Sequence, residues 1–230
     1  MLNAIFGSHR TSGRVDPNVA LTSRVKALAL AVWDSFNPIA MRYDRAMRTD
    51  PIHFRFDERK GVEVLTYVAE RWPGITPFYA SKVLFVADEE HINAYGRPIT
   101  GDTFIAMPNG PVPSATYALI KGQLDAFGAP EAIFEAIEIR QGPRYKQIFA
   151  RRSANREKLS PSDEECLDNA IAFCRGRDFD ELSMLTHQNP AYQRAMPNGP
   201  MDPADMVRID LPHRDEVLQE MRDFSRYGLL

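Results

Sequence analysis

The chain has almost no cysteine: Cys166 and Cys174 are its only two. They fall eight residues apart in a stretch that reads as helix, where a rise of ~1.5 Å per residue holds them too far apart for a disulfide. Two thiols also cannot close a four-ligand zinc site. Buried free thiols in a reducing compartment are therefore expected. Long apolar runs are missing too. Leu28-Ala29-Leu30-Ala31-Val32-Trp33 comes nearest and stops well short of the ~18 residues a membrane span needs. The first residues lack a basic start followed by an apolar stretch and a small-residue cleavage site, so no secretion signal is legible and a cytoplasmic location is expected. Nor is there an excess of positive charge. With 28 Lys and Arg against 31 Asp and Glu, the net charge of −3 excludes a global field that recruits nucleic acid or anionic lipid. Phosphate-loop and dinucleotide glycine patterns are absent, and neither Ser81 nor Ser114 sits in a nucleophile elbow.

What remains is an ordinary apolar fraction on a chain long enough to bury a full core without covalent staples. Met1–Asn18 has little periodicity. Val19–Ser35 reads as an amphipathic helix, and Ala40–Met47 as a short basic one. Asp57 caps a helix over Glu58–Arg71 with Val64, Leu65, Val68 and Trp72 inward, ended by Pro73-Gly74. Thr76 caps the next, with Pro77 at its first position and Gly96 as a left-handed stop. This second helix is apolar around most of its girth through Phe78, Tyr79, Val83, Phe85, Val86 and Ile92, so it belongs in a core. The short link predicts that the two pack as an antiparallel pair. Thr103–Met107 alternates as a strand, Asn109-Gly110 turns, and Ser114–Leu124 follows as a helix with Tyr117, Ile120 and Leu124 inward.

Further on the period changes to two. Ala136–Arg140, the turn Gln141-Gly142-Pro143 and Tyr145–Arg151 predict a β-hairpin. Arg140, Arg144, Lys146, Arg151, Arg152, Arg156 and Lys158 crowd around it, opposed only by Glu157. Ser160-Pro161-Ser162-Asp163 starts a helix with Leu167, Ala170, Ile171 and Cys174 inward and Gly176 at its end. Asp180–His187 is a short helix, and Arg214–Tyr227 a last amphipathic one. The hexapeptide Ala106-Met-Pro-Asn-Gly-Pro111 recurs as Ala195–Pro200, and both copies read as turns feeding a helix. The fold class expected is mainly α, a compact helical domain with a small antiparallel β-hairpin or sheet element.

Three constellations could carry chemistry. Asp88 and His91 lie one helical turn apart and, joined by His187, could hold a divalent metal or act as general acid and base. The same residues serve equally as a buried polar cluster that pins the helix end to the Arg97–Gly101 turn, including an ion pair between Asp88 and Arg97. The loose spacing favours this structural role, and neither a metal nor a cofactor is expected. The basic hairpin, with Tyr145 and Phe149, is either a solvated strand edge, a landing site for an acidic protein surface, or a nucleic-acid contact; the acidic whole disfavours the last.

Phe85-Val86-Ala87-Asp88, His91, Tyr95-Gly96-Arg97-Pro98-Ile99-Thr100-Gly101 and Gly110-Pro111-Val112-Pro113 together resemble the signature of the Panacea domain, the SocA-like antitoxin family. Fainter likeness runs from about Asp57 to Tyr192. Leu182–His187 with Pro190-Ala191-Tyr192 is similar to the family's later Leu-Thr-His element, with Tyr192 standing where Trp is expected. The resemblance implies a non-enzymatic antitoxin that binds a cognate protein toxin encoded beside it, either occluding it or delivering it to a protease. Asp88, His91, Tyr95, Gly96, Arg97, Pro98, Gly101, Gly110, Pro111, Pro113 and His187 become the family-motif core. Arg97, Thr100, Asp102, Asn109, Arg140, Arg144, Tyr145 and Arg151 are the expected toxin contacts. Residues 51–200 form the domain, 1–50 an extension that packs or selects the partner, and 201–230 a helical tail on the domain.

Overall fold

Helix α1 (Glu58–Arg71) begins where the Asp57 carboxylate accepts from the Lys60 N–H, and α2 (Pro77–Tyr95) where Thr76 does the same for Tyr79. The computed structural model describes residues 52–123 and 130–227, which belong to one compact unit. The helices expected over Val19–Ser35 and Ala40–Met47, and Leu124, lie outside the described residues. After α2 come β1 (Phe104–Met107), β2 (Gly110–Pro113), α3 (Ser114–Lys121), α4 (Pro130–Ala136), β3 (Ile137–Gln141) and β4 (Lys146–Ala150). The chain then forms α5 (Pro161–Arg175), α6 (Phe179–His187), α7 (Pro190–Arg194) and α8 (Arg214–Tyr227). The fold is mainly α with two antiparallel two-stranded sheets.

Helix α2 is the axis of the core. Ala80, Val83, Leu84, Phe85, Ala87 and Ile92 are all buried, and its principal neighbours are α5 and β2. The expected antiparallel pairing with α1 is minor. The link between them is engaged elsewhere: Gly74 N–H donates to the Ile148 carbonyl and Ile148 N–H to Ile75, so the turn docks on β4 instead of closing a tight helical hairpin. The α1 stripe is inward as expected for Val64, Leu65 and Val68, while Trp72 is partly exposed. In α5 Leu167, Ala170, Ile171 and Cys174 are buried as expected. Burial lifts both cysteine thiols to about 12, which leaves them inert.

Helix α3 is shorter than expected, because Gly122 takes φ 70° and stops it. Its inward residues are Ala115, Thr116, Leu119 and Ile120; Tyr117 is partly exposed under the Lys121 ammonium. Pro113 cannot cap α3 with a side chain. Asp102 does so from a distance, its two carboxylate oxygens accepting from Ala115 N (2.9 Å) and Thr116 N (2.8 Å). Replacing Asp102 by Ala would orphan two buried N–H groups, and we expect a loss of about 1–2 kcal/mol, measurable as a lower urea midpoint.

Strand β2 went unrecognised in the sequence because Pro111 and Pro113 argue against a strand. The structure shows why they are tolerated. The Pro111 carbonyl accepts from Lys82 Nζ at 3.2 Å, so it faces away from β1, and in extended backbone its missing N–H faces the same way. The ladder to β1 loses no donor. On the other edge of β1, Asn198 N–H donates to the Ala106 carbonyl, Ala106 N–H to Gly199, and Met201 N–H to Phe104. The two identical hexapeptides therefore pair with one another. They differ in conformation: the first closes the β1–β2 hairpin with Gly110 at φ 98°, the second turns through Asn198 at φ 58° and runs into a 3₁₀ turn, not a helix.

Candidate functional site

Two of the family-motif residues, His91 and Arg97, converge on Asp163, which the sequence placed only in a helix cap. Asp163 is the third residue of α5, and with Ser160 it forms a reciprocal capping box. Its carboxylate is fully buried and reaches three cations or potential cations. Oδ2 lies 2.8 Å from Lys60 Nζ, while Oδ1 lies 3.2 Å from His91 Nε2 and 3.6 Å from the Arg97 guanidinium. Burial alone would raise the Asp163 pKa. The His91 ring, the Lys60 ammonium and the Ser160 N–H outweigh it and hold the carboxyl well below the usual carboxylate range.

His91 is wholly buried at the centre. The Arg97 carbonyl, 2.8 Å from Nδ1, can only accept, so Nδ1 donates, and Nε2 faces Ser162 Oγ and Asp163. Tyr95 covers the ring at 4.7 Å. Gly96 at φ 66° and Gly101 at φ 73° bracket the turn that carries Arg97 and Pro98 back over the helix end. Asp88 lies one turn before His91 and accepts from Ile99 N–H at 2.8 Å; burial, with Asp102 and Asp163 nearby, pushes it up to about 7. The expected pinning of the helix to the Arg97–Gly101 turn is thus present. The expected ion pair is not: Asp88 is occupied by a backbone N–H, and Arg97 turns to Asp163.

His187 is elsewhere. It stacks on Tyr192 at 4.4 Å and 15° and bonds to the Pro108 carbonyl, beside the β1–β2 turn. Burial and the neighbouring Lys82 ammonium lower its pKa. The triad of Asp88, His91 and His187 is therefore not assembled, and no group of three or more His, Cys, Asp or Glu side chains among the described residues could hold a metal ion. Gly110 shows why a glycine stands at the turn. A Cβ there would fall 2.5 Å from both Lys82 Nζ and Thr186 Oγ1, in addition to the cost of φ 98°. The Tyr192 hydroxyl donates to the Met107 carbonyl, tying the later motif element to the same turn.

Two of the expected toxin contacts are interior. Thr100 and Asp102 are 6% and 7% exposed, because one packs under the turn and the other caps α3. Arg97 is partly covered through its pairing with Asp163. Asn109, Arg140, Arg144, Tyr145 and Arg151 are exposed. The charge of the hairpin is also less naked than its sequence implies. Arg140 pairs with Glu138 at 2.8 Å, Arg152 holds Glu63 with two hydrogen bonds, and Arg156 pairs with Glu164. Three acids missed in the sequence, Glu138, Glu63 and Glu164, neutralise three of the seven basic residues of the run.

These features define a helical scaffold whose signature residues are spent on a closed, internally paired hub. Residues 81–193 match the family model described as antitoxin SocA-like, Panacea domain. The match starts within α2, so α1 and Lys60 lie outside it although the likeness had been expected from Asp57. No curated protein and no solved structure matches the chain. No described helix is long and apolar enough to cross a membrane.

Proposed function

We propose that the protein is an antitoxin that neutralises a cognate protein toxin by direct contact and without catalysis, in the cytoplasm, the toxin being encoded beside it. The observation that carries this reading is the use made of the motif residues within the matched segment. Asp88, His91 and Arg97 are engaged by Ile99, Ser162, Asp163 and their own turn, which suits a rigid binding scaffold better than a reacting centre. The exposed residues Asn109, Arg140, Arg144, Tyr145 and Arg151 stay in this reading as toxin contacts. Residues 51–200 would present the binding surface, with 201–230 as a supporting tail and 1–50 packing or selecting the partner. The internal pairing of Arg140, Arg152 and Arg156 weakens the case for a nucleic-acid backbone as partner.

The test is growth of a host that expresses the neighbouring gene, with and without this protein. Rescue, a co-purifying stoichiometric complex and an unchanged toxin half-life are expected; a shortened half-life would mean delivery to a protease instead. Toxicity that persists with no complex formed would refute the antitoxin reading.

A further inference from the structure

The solvent side of α2 is not featureless. Val86, Glu89, Glu90, Asn93 and Ala94, with Arg208, line an open groove of about 480 Å³. Their spacing places them on one helical face. Asn93 is committed to the groove wall: its amide donates to the Glu89 and Met206 carbonyls, and its oxygen accepts from Arg208 N–H. The two glutamates are held by neutral amides, not by cations. Glu89 Oε1 accepts from Asn189 Nδ2 at 2.8 Å, and Glu90 Oε1 from Asn169 Nδ2 at 2.7 Å. Asn189 is itself buried and anchored as the cap of α7. Neither carboxylate has an ion-pair partner among the described residues, and Arg208 pairs with Asp210 at 3.9 Å. Burial pushes Glu89 up to about 7, with Asn189 and Arg208 only partly opposing it.

A mostly covered carboxylate with no cation in ion-pair contact among the described residues, Arg208 acting on it only from a distance, beside a second carboxylate and flanked by apolar Val86 and Ala94, is complementary to one kind of occupant. We propose that this groove receives an arginine or lysine side chain of the toxin, its aliphatic stem on Val86 and Ala94 and its cation between Glu89 and Glu90. The inference rests on the antitoxin reading and locates part of its interface. Every groove residue except Arg208 lies in the segment matched to the family, as does Asn189, which stands between the two parts of the later motif element. Charge complementarity selects the occupant: an acidic or wholly apolar segment would leave Glu89 desolvated and unpaired.

The experiment uses the full chain and the protein encoded by the neighbouring gene. Binding is measured at low and high salt for wild type, Glu89→Gln, Glu90→Gln, Ala94→Trp and the exposed control Glu135→Gln, each checked for folding by its denaturation midpoint. Glutamine keeps the acceptor that Asn169 or Asn189 uses, while Ala94→Trp fills the groove without touching either carboxylate. A loss of affinity of about tenfold or more is expected for the three groove variants, narrowing at high salt for the two glutamines, with no change for the control. The Glu89 carboxyl, followed by carbon-13 NMR, should titrate near neutral pH in the free protein and drop into the ordinary carboxylate range in the complex. Groove variants that bind within twofold of wild type, or a Glu89 titration that complex formation does not move, would overturn the groove while leaving the antitoxin reading intact. If wild type neither binds nor rescues, the antitoxin reading fails and takes this inference with it.

Discussion

Replacing Asp163 by Asn is expected to destabilise the protein by about 3–5 kcal/mol at pH 7, the cost of leaving buried cations without their counter-charge. Asparagine fits the space and can keep a capping bond to Ser160, so the loss isolates the charge. Lys60, with its side chain 7% exposed, would lose the carboxylate 2.8 Å away, and Arg97 and His91 would lose the same partner. The pH dependence has a definite sign. The Asp163 carboxyl is depressed in the folded state from an unfolded value of 3.8, so its contribution is present above that value and is lost as pH falls below it. Wild type should lose stability steeply on acidification through that range, whereas Asp163→Asn should show a flatter acid limb and converge towards wild type. Urea midpoints at pH 7 and near pH 3 measure both. A difference under about 0.5 kcal/mol at pH 7 would mean that the hub is not held by this charge.

Replacing Lys82 by Met should act in the opposite direction. Lys82 is 1% exposed, among the described residues donates only to the Pro111 carbonyl, and has a ring beside it, Phe78 at 5.1 Å, where a carboxylate would be expected. Burial lowers its pKa from 10.5 to about 7, the nearby Cys174 only partly opposing this. The unfolded chain therefore binds more protons than the folded one between those two values, so stability rises with pH across that window. Below about pH 7 the full penalty is present. Methionine is similar in length and needs no proton, so Lys82→Met should gain about 1–3 kcal/mol at pH 6 after the lost bond to Pro111 is counted. Near pH 10 the gain should vanish. Chemical denaturation at the two pH values decides it; a variant less stable than wild type at pH 6 would show that the ammonium is better solvated than the structure indicates.

Much of the local structure was legible in the residues. Asp57, Thr76-Pro77 and Ser160-Pro161 mark helix starts by supplying or sparing N–H bonds, and Gly96 marks a stop by admitting positive φ. The alternation of Ala136–Arg140 was enough to find the second hairpin. Helix α4 was overlooked, although Pro130 at its first position was an available signal. Gly122 likewise marked the end of α3. Strand β2 could not be read, because whether Pro111 is tolerated depends on which edge its nitrogen faces.

The candidate site divides along the same line. Asp88, His91 and the Arg97–Gly101 turn are close in sequence, and their polar pinning follows from one helix ending in a left-handed glycine. Asp163 and Lys60 are 72 and 31 residues from His91, and only the packing of α5 and α1 against α2 brings them to it. The same holds for the pairing of the two hexapeptides, the neutralisation of Arg152 by Glu63, and the separation of His187 from His91. By itself the sequence determined where the capped helices α1, α2 and α5 start and stop, which faces are apolar, and which family the central signature resembles, because caps, periodicity and turn residues act within a few positions. Only the tertiary structure decided which buried charges meet and which carboxylates are left without a cation at the surface, because those pairings join residues that no local rule connects, and burial sets their strength.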